Sequence, residues 1–94
     1  MSQEMFNKAC QACRDFGDAG GTLTNDQLLA IYSRFKQATI GDWNIERPAI
    51  YDQTAWAKWY AWSAVKGMNK PEAMTDYVNL ARQYLSNEFA SRIN

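Results

Sequence analysis

A chain of 94 residues, 47% of them apolar, fits one domain with a modest core. Its ten Lys and Arg balance ten Asp and Glu, so whole-domain charge does not favour nucleic acid, although a local basic spot stays open. Two cysteines cannot build a disulfide framework, and without histidine neither a four-ligand zinc site nor a histidine general base can be assembled.

Phe6, Ala9, Cys10, Cys13 and Phe16 recur at spacings of three and four, which predicts a helix over about 3–16. Gly17, Gly20 and Gly21 are expected to break it, leaving a loop to Leu23. Thr24 with Gln27 has the pattern of a capping box. It opens a second helix over about 25–40, with Leu28, Leu29, Ile31, Tyr32 and Phe35 on its apolar side and Gly41 placed to end it.

The segment from Gly41 to Gln53 lacks a helical period and reads as a surface loop. Because it carries Trp43, Ile45, Ile50 and Tyr51, it is expected to pack onto the domain. Asp52 or Thr54 can cap a third helix over about 54–66, with Ala55, Trp59, Trp62 and Val65 inward and Gly67 as its stop. Asn69 with Glu72 is a further capping pair, and Pro71 fits a first turn. The fourth helix is predicted over about 70–89. Ala73, Tyr77, Leu80 and Tyr84 line one edge of its stripe, and Met74, Val78, Ala81 and Leu85 the other. No segment alternates with period two. The expectation is an all-α helix bundle in a single domain over 1–94.

Two clusters could carry a ligand. Tyr32, Phe35 and Lys36 share one patch of the second helix: a ring for stacking, a hydroxyl and a point charge suit a phosphorylated aromatic ligand. The alternative is two core rings with a lysine snorkelling beside them. Trp56, Lys58, Trp59, Tyr60 and Trp62 put more large aromatics on the third helix than it can bury. They form either an aromatic core edge or a cleft with Lys58 at its mouth, and Trp56 and Tyr60 could equally anchor a protein partner. Cys10 and Cys13 fall on the apolar face of the first helix and read as small hydrophobes rather than a redox or metal pair. Asp42, Glu46 and Asp52 have loop and cap contexts that account for them. No nucleophile elbow or phosphate-cradling glycine loop is present, so no catalytic residue and no metal ligand is assigned. Met1-Ser2-Gln3-Glu4 lacks the pattern of a signal peptide, and no stretch has the length of a membrane span. A reduced, soluble, cytoplasmic protein is expected.

The run Tyr32-Ser33-Arg34-Phe35-Lys36-Gln37-Ala38-Thr39-Ile40-Gly41-Asp42 resembles the signature of the acyl-CoA-binding proteins, close to Tyr-x-x-Tyr-Lys-Gln-Ala-Thr-x-Gly-Asp. Asn44-Ile45-Glu46-Arg47-Pro48 is similar to that family's Asn-x-x-Arg-Pro. Ala57-Lys58-Trp59-Tyr60-Ala61-Trp62 is similar to its Ala-Lys-Trp-x-Ala-Trp. Ala73, Met74 and Tyr77, and Phe6, Lys8 and Ala9, fit its last and first helices. The resemblance implies a four-helix up-down-down-up bundle and a cytoplasmic carrier of medium- to long-chain fatty acyl-CoA. Such a carrier is not an enzyme, needs no cofactor and binds no nucleic acid. It is a monomer, with transient contacts to membranes or acyl-CoA-using enzymes. It further implies that Tyr32, Lys36 and Lys58 hold the ribose 3′-phosphate and Phe35 stacks on adenine. Tyr77 and Arg14 then approach the head group, and Leu28 and Leu29 wall the acyl groove. This chain departs from the pattern at Phe35, where tyrosine is usual, at Trp56, where lysine is common, and at Arg14, which replaces lysine. The loop from Gly17 to Leu23 is longer than in compact members, and Cys10 and Cys13 stand where other small or branched residues are usual.

Overall fold

Local capping chemistry sets where most of the helices begin. The computed structural model describes residues 3–42, 46–49 and 51–93. Its helices are α1 (Gln3–Asp18), α2 (Asn25–Thr39), α3 (Gln53–Ser63), α4 (Lys70–Tyr84) and a short α5 (Asn87–Ala90), with no strand among the described residues. Thr24 and Gln27 form the reciprocal capping box of α2. The Asp52 carboxylate accepts the Ala55 N–H at the start of α3. The Asn69 side chain accepts the Glu72 N–H at the start of α4. Each cap satisfies an N–H that a helix start leaves without an internal partner.

The ends differ more from expectation. Helix α1 runs through Gly17 to Asp18, because one glycine in a helix costs only about 1 kcal/mol. It stops where Gly20 takes φ 89° and the Gly21 N–H bonds back to the Phe16 carbonyl. Helix α3 ends at Ser63, and the turn beyond it tightens to three-residue bonds, Val65 to Trp62 and Lys66 to Ser63. The predicted fourth helix is two helices. Leu85 and Ser86 are extended (ψ 153° and 158°) and separate α4 from α5. The break turns the chain back onto α1. There Phe89 meets Phe16 edge-on at 5.5 Å, and Arg92 pairs with Asp15 at 3.3 Å. The Arg82 guanidinium donates to the Ile93 carbonyl and fixes the returning end.

The core lies between α1 and α4, closed by the C-terminal turn. Ala9, Ala12, Ala73 and Ala81 allow close helix approach, and Phe6, Tyr77, Val78, Leu85, Phe89 and Ile93 fill the remainder. Helix α2 packs on α4 and on α3. Among the described helices, α3 is packed by α2 alone. The expected packing of the long loop fails at Tyr51, which is 87% exposed. Trp43, Asn44, Ile45 and Ile50 lie outside the described residues.

What holds α3 in place is a polar hub. Gln37 is 1% exposed. Its amide donates to Asp42 Oδ1 (2.9 Å) and to the Met68 carbonyl (2.8 Å), and its oxygen accepts from Trp62 Nε1 (3.1 Å). The same indole N–H also donates to the Gly41 carbonyl at 2.9 Å, where φ of 99° turns the chain out of α2. The Gly67 N–H donates to Asp42 Oδ1 at 2.8 Å. One side chain thus ties the end of α2 to α3 and to the turn before α4. Gln37→Leu, which keeps most of the volume and removes these bonds, is expected to lower unfolding free energy by about 2 kcal/mol. An unchanged urea midpoint contradicts this. The Gly67 N–H, and then the Gln37 amide, hold the Asp42 carboxyl below its ordinary value of 3.8. A depressed carboxyl adds stability above that ordinary value and loses it as pH falls through the folded-state value. Wild type and Asp42→Asn should therefore differ in melting temperature near neutrality and converge in acid.

Candidate functional site

Positions 25, 28, 29 and 32 form one strip of α2, and 53, 54, 57 and 58 face it from α3. Between them lies an open cleft of about 510 Å³, lined by Asn25, Leu28, Leu29, Tyr32, Gln53, Thr54, Ala57 and Lys58. Its middle is apolar. Leu28 is 52% exposed at the rim, an unfavourable placement that an apolar ligand covering it would relieve.

One end of the cleft is basic. Lys58 Nζ lies 5.4 Å from the centre of the Tyr32 ring, and Lys36 Nζ lies 5.8 Å from the same centre and 5.9 Å from the Trp62 ring. The ring quadrupole attracts each cation, but the two cations repel each other. Among the described residues no carboxylate forms a salt bridge with either lysine; the ion pairs lie elsewhere, at Lys8, Arg34 and Arg92. In a chain of zero net charge, this is a local positive spot beside an apolar trough. Its chemistry suits an anion carrying a hydrocarbon tail.

Phe35 lies on the next strip of α2. Its ring stacks at 15° on Phe6 (6.2 Å between centres) and tilts against Tyr77 (6.1 Å). It remains 37% exposed, so it forms a rigid platform beside Lys36 on a buried aromatic base. Tyr77 is part of that base. It is 4% exposed, and its ring centre lies 5.1 Å from that of Phe6. Burial first, and then contact with the Cys13 and Cys10 thiols, pushes its hydroxyl far above the ordinary tyrosine value. Arg14 is exposed on α1 and donates to Gln11 Oε1 at 3.3 Å. No described contact joins it to Tyr32, Lys36 or Lys58.

The structure therefore brings Leu28, Leu29, Tyr32, Lys36 and Lys58 together at one cleft and sets Phe35 beside them. It places Tyr77 inside the core and Arg14 on another helix. Sequence reasoning did not single out Asn25, Gln53, Thr54 and Ala57 as cleft residues. The helical spacing of Asn25 from Leu28, Leu29 and Tyr32, and of Thr54 from Lys58, was the available signal. Among the described residues no cluster of side chains could hold a metal ion, and no helix is long and apolar enough to cross a membrane.

Fold and cleft together define a small helical binding domain with a basic, aromatic end and an apolar trough. The family model described as acyl CoA binding protein matches residues 3–81. Acyl-CoA-binding domain-containing protein 1 of Oryza sativa subsp. japonica is 46% identical over 89 residues, covering 95% of this chain and 94% of that protein. The crystal structure of acyl-CoA-binding protein 2 from Oryza sativa superposes with a TM-score of 0.78 at 37% identity, covering 86% of this chain and 87% of the other. That of ACBP from Moniliophthora perniciosa gives 0.79 at 33% identity, covering 99% and 92%. The chain belongs to the acyl-CoA-binding protein family.

Cys10 and Cys13 are half-buried on α1. Burial is the first cause raising both thiols above their ordinary value, with the Tyr77 hydroxyl pulling the other way. A raised thiol is a poor nucleophile at neutral pH. Iodoacetamide is expected to label them far more slowly in the folded protein than in urea. Equal rates contradict the packing described.

Proposed function

We propose that the protein binds and carries medium- to long-chain fatty acyl-CoA thioesters in the cytoplasm, buffering and moving them without chemical conversion. The observation that carries this reading is the convergence of Lys36 and Lys58 on Tyr32 at the end of an apolar cleft. In this reading the two ammonium groups and the Tyr32 hydroxyl hold the ribose 3′-phosphate. Phe35 offers its exposed face to adenine, and Leu28 and Leu29 cover the acyl chain. Tyr77 acts through Phe35, whose ring it supports from below. Arg14 adds a peripheral positive charge for the head group. The carrier works as a monomer, takes no cofactor, and touches membranes or acyl-CoA-using enzymes only in passing.

The magnitudes support this. Each methylene removed from water contributes ~0.8 kcal/mol, so ten supply about 8 kcal/mol before costs. Each charge-assisted bond to phosphate adds roughly 1.5–3 kcal/mol. Immobilising a flexible ligand removes at least about 4 kcal/mol, and micromolar affinity needs only about 8 kcal/mol in total. Two lysines, one platform and one trough therefore suffice for tight binding.

The intact thioester is expected to bind far more tightly than either fragment, because palmitate forgoes the phosphate and stacking terms and free CoA forgoes the apolar one. Calorimetry with palmitoyl-CoA, palmitate and CoA measures this. Equal affinities for palmitate and palmitoyl-CoA contradict it. Lys36→Ala and Lys58→Ala should each weaken palmitoyl-CoA binding by about 2 kcal/mol with little change in melting temperature. Phe35→Tyr should bind as well as wild type. Unchanged affinity in Lys36→Ala places the phosphate elsewhere.

A further inference from the structure

We propose that the α3 wall of the cleft selects acyl chains that carry a hydroxyl group along their length, with Gln53 and Thr54 as the residues that set this preference. The proposal rests on the carrier reading above and assigns the polar half of the same trough. The cleft has a direction. Gln37 meets Trp62, 25 positions further along the chain, and Tyr32 meets Lys58. The two pairs advance together along both helices, so α2 and α3 run parallel. One turn back from Tyr32 and Lys58, the same register sets Leu28 and Leu29 across from Gln53 and Thr54, and all four line the cleft. Asn25 lines it a turn further out. Away from the lysines the two walls therefore differ: leucine on α2, amide and hydroxyl on α3.

These polar groups have no structural task. Asp52 caps α3, and Thr24 with Gln27 caps α2. Among the described residues, the side chains of Asn25, Gln53 and Thr54 form no hydrogen bond, and all three are exposed. A plain hydrocarbon tail that covers Leu28 strips water from Gln53 and Thr54 and returns no bond, which is an unfavourable exchange. A chain-borne hydroxyl keeps the contact with leucine on one side and restores the bond on the other. The carboxamide and the threonine hydroxyl each donate and accept, so they match a hydroxyl in either orientation. A carboxylate on the chain fits less well. Asp26 follows Asn25 and Asp52 precedes Gln53, and their like charge opposes an anion at this end.

Calorimetric titration of wild type and Gln53→Leu/Thr54→Val tests the proposal. The ligands are palmitoyl-CoA and hydroxypalmitoyl-CoA isomers with the hydroxyl near the thioester, at mid-chain or at the far end. Wild type is expected to bind at least one isomer as tightly as palmitoyl-CoA or more so. The double variant should shift the affinity ratio against that isomer roughly tenfold, while palmitoyl-CoA itself binds more tightly to the newly apolar wall. The ratio isolates the contact between hydroxyl and α3 from general changes in the cleft. Should the double variant fail to fold, Thr54→Val alone must move the ratio in the same direction. Weaker binding of every isomer than of palmitoyl-CoA in wild type overturns the proposal, as does a ratio that the variants leave unchanged. Tighter binding of a carboxylate-ended chain than of any hydroxylated one also overturns it. In each of these outcomes palmitoyl-CoA still binds wild type and the carrier reading survives. Absence of palmitoyl-CoA binding in wild type overturns both.

Discussion

Two ammonium groups brought to one phenol ring repel each other, and the fold must supply something to keep them there. Part of it is the ring itself, which attracts both cations through its face. The rest is scaffold. Lys36 is carried on α2, whose inner side is buried against α4, while Lys58 is carried on α3, which only α2 packs among the described helices. The separation of the two charges therefore depends on how firmly α3 is tied to α2.

Gln37 ties them, one residue from Lys36. Its oxygen receives the Trp62 indole, and its amide reaches Asp42 and the Met68 carbonyl. Buried polar groups are costly when unpaired, so a fully bonded Gln37 admits few alternative placements of Trp62, and hence of α3. Lys36 also lies over the Trp62 ring, which couples the hub to the charged end of the cleft. The charged end of the cleft and the stabilising network share a helix turn. Phe35 extends the same logic sideways, its platform resting on Phe6 and Tyr77 rather than on mobile surface side chains.

Helical period and capping chemistry made much of this legible in the sequence. Thr24, Gln27, Asn69 and Asp52 announce helix starts through short-range bonds, and the spacing of Leu28, Leu29 and Tyr32 places them on one strip whatever surrounds them. The break at Leu85 and Ser86 was hidden because Leu85 and Phe89 keep a four-residue spacing across it, so the apolar period survives the interruption. The role of Gln37 was hidden for the opposite reason: its partners Trp62 and Met68 lie 25 and 31 residues away, and a buried amide has no local pattern. Tyr77 shares an apolar stripe with Ala73 and Ala81, and the small size of those neighbours is what lets α1 close over it.

The account stands on the grip of two lysines on a single phosphate, and a ligand lacking that phosphate probes it most directly. Calorimetric titration should compare palmitoyl-CoA with palmitoyl-3′-dephospho-CoA, in wild type and in Lys36→Ala. The account predicts a much weaker dephospho ligand in wild type and a clearly smaller gap in the variant, since removing the lysine and removing the phosphate delete the same interaction. Equal affinities of the two ligands in wild type, or a gap undiminished in Lys36→Ala, would contradict it.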